Sequence, residues 1–104
     1  MGERYAIEFL PSAARQLEKL PRDAQGPVAD AIHGLAAEPR PADAKLLSGT
    51  GRERIWRIPV GQYRVLYQVE DGRLTILVVR VADRREAYGQ AAIKRLLASV
   101  RRDR

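Results

Sequence analysis

The sequence predicts an α+β domain: one small, antiparallel-rich sheet with an N-terminal helical hairpin on one face and a C-terminal helix. Three observations predict it. Residues 54–81 alternate apolar with polar or cationic side chains at the two-residue period of strands. Two turn signals, Gly61-Gln62 and Asp71-Gly72, cut that stretch into three runs of hairpin length. Apolar residues before and after it recur at helical spacing instead. At 104 residues and 45% hydrophobic content the chain, 1–104, suits one domain with a single core.

Taken in order, Tyr5 to Leu10 alternates enough for an edge strand, and Pro11-Ser12 then offers a helix start with Ser12 as the cap. Ala13, Gln16, Leu17 and Leu20 put a narrow stripe on that short helix, which Pro21 stops. Asp23 can cap a second helix over about residues 24–37, where Val28, Ile32 and Leu35 recur at helical spacing and Pro39 closes the pattern. Residues 38–53 mix Pro, Gly, Ser and charge and read as a connection from helices to sheet, with Lys45, Leu46 and Leu47 docking locally. Three strands follow at about 54–60, 63–70 and 73–81. From Glu86 to Val100 a last helix places Ile93, Leu96, Leu97 and Val100 on one side, with Lys94, Arg95, Arg101 and Arg102 towards the other.

Tight turns fix register. Pairing Val60 with Tyr63 sets Pro59 against Arg64 and Arg57 against Leu66, so Arg57 and Arg64 share a face as diagonal neighbours. A two-residue turn at Asp71-Gly72 would bring Val79 opposite Arg64 and let the chain carrying Asp83, Arg84 and Tyr88 emerge nearby. Trp56, Ile58, Val60, Tyr63, Val65, Tyr67, Val69, Leu74, Ile76 and Val78 point to the other face, apolar enough to be covered by helices. Trp56, Tyr63 and Tyr67 therefore read as core filling rather than as stacking residues for nucleic acid. The C-terminal helix would cover the apolar remainder of the arginine face, Leu66, Leu77, Val79 and Val81.

Composition narrows the chemistry. With no cysteine and one histidine, neither a disulfide framework nor a thiolate or histidine metal site is expected, and His33 reads as scaffold. No apolar run approaches the roughly 20 residues of a membrane span, and the N-terminus is unlike a secretory signal, so a cytoplasmic protein is expected, with no membrane partner. Net charge is +6, unevenly placed: residues 1–51 hold six basic and seven acidic side chains, residues 52–104 thirteen and six. Positive charge gathered on the sheet half suits a polyanionic partner.

Layout and residues together resemble the RelE/ParE toxin superfamily of bacterial toxin–antitoxin modules. The resemblance spans nearly the whole chain: the helical hairpin with Leu20-Pro21, KLLSG at 45–49, WRIPVGQYRVLYQV at 56–69 and VADRREAY at 81–88. It implies a RelE-like fold and, for the RelE branch, ribosome-dependent cleavage of mRNA, with no cofactor and no metal. Arg57 matches a basic strand position, Arg64 the arginine of the Tyr-Arg pair, Arg84 the late arginine and Tyr88 the terminal tyrosine, which makes these four the expected catalytic set. Lys45, Arg52, Arg54 and Arg85 are the expected flanking contacts to RNA. Pro59 and Ser48 depart from the pattern, standing where RelE-like chains commonly carry basic residues. In the implied chemistry a ribose 2′-hydroxyl attacks its adjacent phosphate. Arg57 and Arg64 hold the phosphoryl oxygens, Tyr88 takes the hydroxyl proton or stacks on a base, and Arg84 steadies the leaving oxygen. Asp83 and Glu86 would orient arginines or cap the last helix.

The implied partners are a cognate antitoxin, the ribosome and mRNA, with operator DNA met only indirectly through the antitoxin. Two alternatives stay open at this point: a ParE-like DNA gyrase inhibitor without nuclease activity, and a catalytically weak binding module acting in an antitoxin repressor complex.

Overall fold

The structure is a computed structural model and describes residues 4–102. The chain runs β1 (Ala6–Phe9), α1 (Pro11–Glu18), α2 (Arg22–Gly34), β2 (Lys45–Leu46), β3 (Trp56–Val60), β4 (Tyr63–Glu70), β5 (Thr75–Asp83) and α3 (Gln90–Arg102), with short 3-10 turns at Gly51–Glu53 and Asp71–Arg73. The five strands form one sheet in the order β1-β5-β4-β3-β2. β1 lies parallel to β5 at one edge, and all other neighbours are antiparallel. The fold class is the predicted α+β.

Helix starts differ in detail from the sequence reading. α1 begins at Pro11, not after a Ser12 cap: proline suits the first turn because the N–H it lacks would have no partner there, and Leu10 stands at the cap without a side-chain bond. α2 begins at Arg22, so Asp23 lies within the first turn, where its charge complements the positive end of the helix dipole. The helix also ends at Gly34, short of residue 37. Ala13, Val28, Ile32 and Leu35 are buried, and they join Ile58, Val65, Tyr67, Ile76, Val78 and Val81 in the core between the hairpin and the sheet.

The first hairpin has the predicted register, Val60 to Tyr63, Pro59 to Arg64 and Arg57 to Leu66, turning on Gly61 at φ +59°. The second hairpin does not. Asp71–Arg73 closes as a 3-10 turn followed by Leu74 in the left-handed region at φ 50°, so β5 begins at Thr75, opposite Glu70. An irregularity at Leu66/Tyr67 then shifts the register by one more residue: Tyr67 pairs with Val78, but Leu66 pairs with Arg80. Val79 is the extra residue of a bulge, and beyond it the strand presents opposite faces to those predicted. Ala82, rather than Val79, lies opposite Arg64, and Val81 turns to the hairpin side, where its N–H donates to Gln16 Oε1 at 2.8 Å.

On the other face, α3 buries Leu96 and Val100 in one cluster with Leu66 and Val79. Arg101 of α3 pairs with Glu53 at 3.5 Å, and buried Gln68 donates to the Glu53 carbonyl at 2.7 Å. At the β4–β5 turn, Tyr5 and Arg40 both donate to the Asp71 carboxylate, and the Arg40 guanidinium lies 5.4 Å from the centre of the Trp56 ring. Tyr67 donates to the Pro39 carbonyl at 2.7 Å, and burial pushes its phenol well above its usual pKa. Among the described residues no helix is long and apolar enough to cross a membrane.

Candidate nucleic-acid interface

Register assembles the site. Lys45 pairs with Arg57, Arg57 with Leu66 and Leu66 with Arg80, so one row across four strands carries three cations around a leucine. The next row runs Pro59, Arg64, Ala82. Alternation along each strand puts both rows on the face away from the helical hairpin.

The loop after β5 is tied down beside this face. Arg84 N–H donates to the Gln62 carbonyl at 2.7 Å, fastening the loop to the β3–β4 turn. The Asp83 carboxylate accepts from Arg85 N–H at 2.9 Å and pairs with Arg85 Nε at 3.3 Å. The Arg85 N–H, foremost, holds the Asp83 carboxyl below its ordinary range. Asp83 thus organises the turn and orients an arginine. Ala87 is fully buried and anchors the loop, leaving its neighbour Tyr88 37% exposed, with the Arg57 guanidinium 5.6 Å from the centre of its ring. An open cleft of about 490 Å³ adjoins that contact, lined by Ser48, Tyr88, Gln90, Ile93, Lys94 and Leu97.

The residues singled out in the sequence occupy distinct positions around this centre. Arg57 and Tyr88 are in contact. Arg64 shares the face, but its Nη1 donates to the carbonyls of Gly61 at 2.9 Å and Tyr63 at 2.8 Å, which turns the guanidinium toward the β3–β4 turn. Arg84 is exposed on the loop pinned to that same turn. Lys45 is exposed at the far end of the Arg57 row. Arg52 and Arg54 are exposed on the 3-10 turn before β3, with Arg54 at φ 49°, a left-handed conformation that costs an L-residue about 1–2 kcal/mol. Arg85 keeps an 83% exposed side chain while paired with Asp83.

Arg80 escaped the sequence reading. Strict two-residue alternation places it on the hairpin side, and only the bulge at Val79 brings it to the cationic face. Its Nη2 donates to the Glu86 carbonyl at 3.2 Å, while its Nε is buried without a partner. Burying a polar donor unpaired is destabilising by roughly 1–3 kcal/mol, and more for a charged one. Among the described residues, no group of three or more His, Cys, Asp or Glu side chains is placed to hold a metal ion.

The three helices and five strands thus form an α+β fold with arginines on one sheet face and a tyrosine at its rim. The chain matches the family described as ParE toxin of type II toxin-antitoxin system, parDE, over residues 7–88. Toxin RelG of Mycobacterium tuberculosis is 33% identical over 88 residues, covering 81% of this chain and 95% of RelG. Among solved structures, the toxin–antitoxin complex RelBE2 of Mycobacterium tuberculosis superposes with a TM-score of 0.69 at 28% identity, covering 80% of this chain and 94% of that one. The archaeal RelE–RelB complex of Pyrococcus horikoshii gives 0.69 at 26%, covering 81% and 99%. The chain belongs to the RelE/ParE family of type II toxin–antitoxin toxins.

Proposed function

We propose that this toxin cleaves mRNA on the ribosome without a metal ion and that a cognate antitoxin neutralises it. The observation that carries the reading is the Arg57–Tyr88 contact at 5.6 Å, set at the mouth of an open cleft on a face that also bears Arg64. A permanently charged fork beside a phenol is what phosphodiester cleavage by an internal nucleophile needs. The 2′-oxygen bonds to phosphorus and the P–O5′ bond breaks, giving a 2′,3′-cyclic phosphate and a 5′-hydroxyl end. Arg57 and Arg64 hold the non-bridging oxygens as charge grows on them. The Tyr88 oxygen accepts the 2′ proton as its own passes to solvent, and Arg84 steadies the departing 5′-oxygen, which takes a proton from water.

Resemblance to the RelE branch supports the ribosome as the place of action. The RelBE2 and RelE–RelB complexes support an antitoxin partner. The match to the ParE family description favours a second reading, inhibition of DNA gyrase. Expressing the chain alone in cells while mapping mRNA 5′ ends and gyrase-linked DNA breaks separates the two. New mRNA ends within translated frames are expected; DNA breaks without them would overturn the nuclease reading.

A further inference from the structure

We infer that Arg80 is a third phosphate-binding arginine of this face and that it also positions Tyr88, an inference that rests on the RNA-cleaving reading above. Three observations carry it. The bulge at Val79 sets Arg80 opposite Leu66, so Arg57 and Arg80 flank one leucine from the two adjacent strands, on the same face. Its guanidinium has five N–H donors, of which Nη2 is engaged by a backbone carbonyl at 3.2 Å, while Nε is buried with no partner. No carboxylate pairs with it among the described residues, in contrast to Arg40, Arg73, Arg85 and Arg101, which all have one.

A guanidinium with no counterion and a donor left unpaired is suited to take an anion brought from outside. On this face, that anion is a backbone phosphate of the RNA. The carbonyl that Arg80 grips belongs to Glu86, two residues before Tyr88, so the same side chain ties the ring-bearing loop to β5. When a phosphate engages the remaining donors, loop and substrate share one rigid fork. This gives the bulge a purpose: removing the extra residue would return Arg80 to the hairpin side.

The test uses a single-stranded 2′-O-methyl RNA oligonucleotide, which binds but cannot react. Its affinity is measured across a salt series with the full chain, alongside single-turnover cleavage of ribosome-bound mRNA. Each phosphate contact on a single strand contributes about 0.7 to the slope of log affinity against log salt. R80Q is expected to lower that slope by about 0.7. R80K should keep the slope yet slow cleavage, because the three donors of an ammonium radiate from one nitrogen and do not reproduce the rigid planar fork that spans carbonyl and phosphate. R73Q, remote at the β4–β5 turn, should change neither. A wild-type slope in R80Q with wild-type thermal unfolding would overturn the inference whatever cleavage does. Should R80Q fail to fold, R80K decides, and a wild-type cleavage rate there overturns it. A slope that depends on Arg80 in a protein that cuts no mRNA upholds Arg80 as a phosphate ligand and removes the nuclease reading alone.

Discussion

Tyr88 offers its ring to the Arg57 guanidinium and lines the cleft, and the roles of ring and hydroxyl can be separated experimentally. Tyr88→Phe keeps the ring contact and deletes the oxygen. Positioned proton transfer is worth about 10² to 10⁴ in rate, whereas an ordinary hydrogen bond of about 1 kcal/mol accounts for only several-fold. Single-turnover cleavage by Tyr88→Phe is therefore expected to fall by at least about 10²-fold with ribosome affinity nearly unchanged. A Phe variant within a few-fold of wild type, beside an inactive Tyr88→Ala, would make the residue a stacking platform only. Arg64 is a different case. Two main-chain carbonyls at 2.8 and 2.9 Å hold its Nη1, so the guanidinium is oriented before any ligand arrives. Losing one preorganised donor of this kind slows catalysis about 10² to 10³-fold, the effect expected for Arg64→Ala. A folded Arg64→Ala protein cutting at the wild-type rate would take Arg64 out of the mechanism.

At the scale of elements, the two hairpins show what a sequence can and cannot specify. Gly61 supplies the positive φ of a tight turn, and the register that followed from it placed Arg57 and Arg64 on one face. Asp71-Gly72 looked equally clear, yet the chain closes through Arg73 and Leu74. The reason lies in the strands. Val78, Val79 and Val81 are all buried because β5 is covered on both faces, so no polar alternation marks which residue points where, and a one-residue bulge leaves no trace in the pattern. That is why Arg80 was illegible, whereas Arg57, Arg64 and Tyr88 could be singled out from turn and motif. The departures at the helix starts are smaller: Pro11 opens α1 behind a Leu10 cap and Pro21 caps α2, which leaves Ser12 and Asp23 inside the first turns.

The β4–β5 turn also yields a pH prediction. Hydrogen bonds from Arg40 and then Tyr5 hold the Asp71 carboxyl below its ordinary 3.8. A carboxyl lowered in the fold adds stability that is complete above the unfolded value and disappears as pH falls through the folded one. The pair is well exposed, so the effect is small. Asp71→Asn is expected to lower the urea midpoint slightly at neutral pH, with the gap to wild type closing in acid. A gap that stays constant through the carboxylate range would show that the Asp71 charge contributes nothing.

For the whole molecule, the charge divide follows the architecture: residues 52–104, with thirteen basic and six acidic side chains, supply three of the five strands and α3. The parallel edge pairing has another consequence, one of timing. Among the described strands β1 is the first in the chain and its neighbour β5 the last, with Ala6 beside Thr75 and Phe9 beside Val78. Contacts so distant in sequence close late and slowly. A nascent chain stalled with Leu74 just outside the exit tunnel is expected to be digested throughout by protease, and one that exposes all of α3 to resist. Protection of the shorter chain would show that the hairpin and β4 fold without their edge. Arg80 lies within β5, and Arg84 and Tyr88 follow it, so all three join a sheet whose other strands precede them in the chain. Among the described strands, the one that completes the cationic face is thus the last that synthesis delivers.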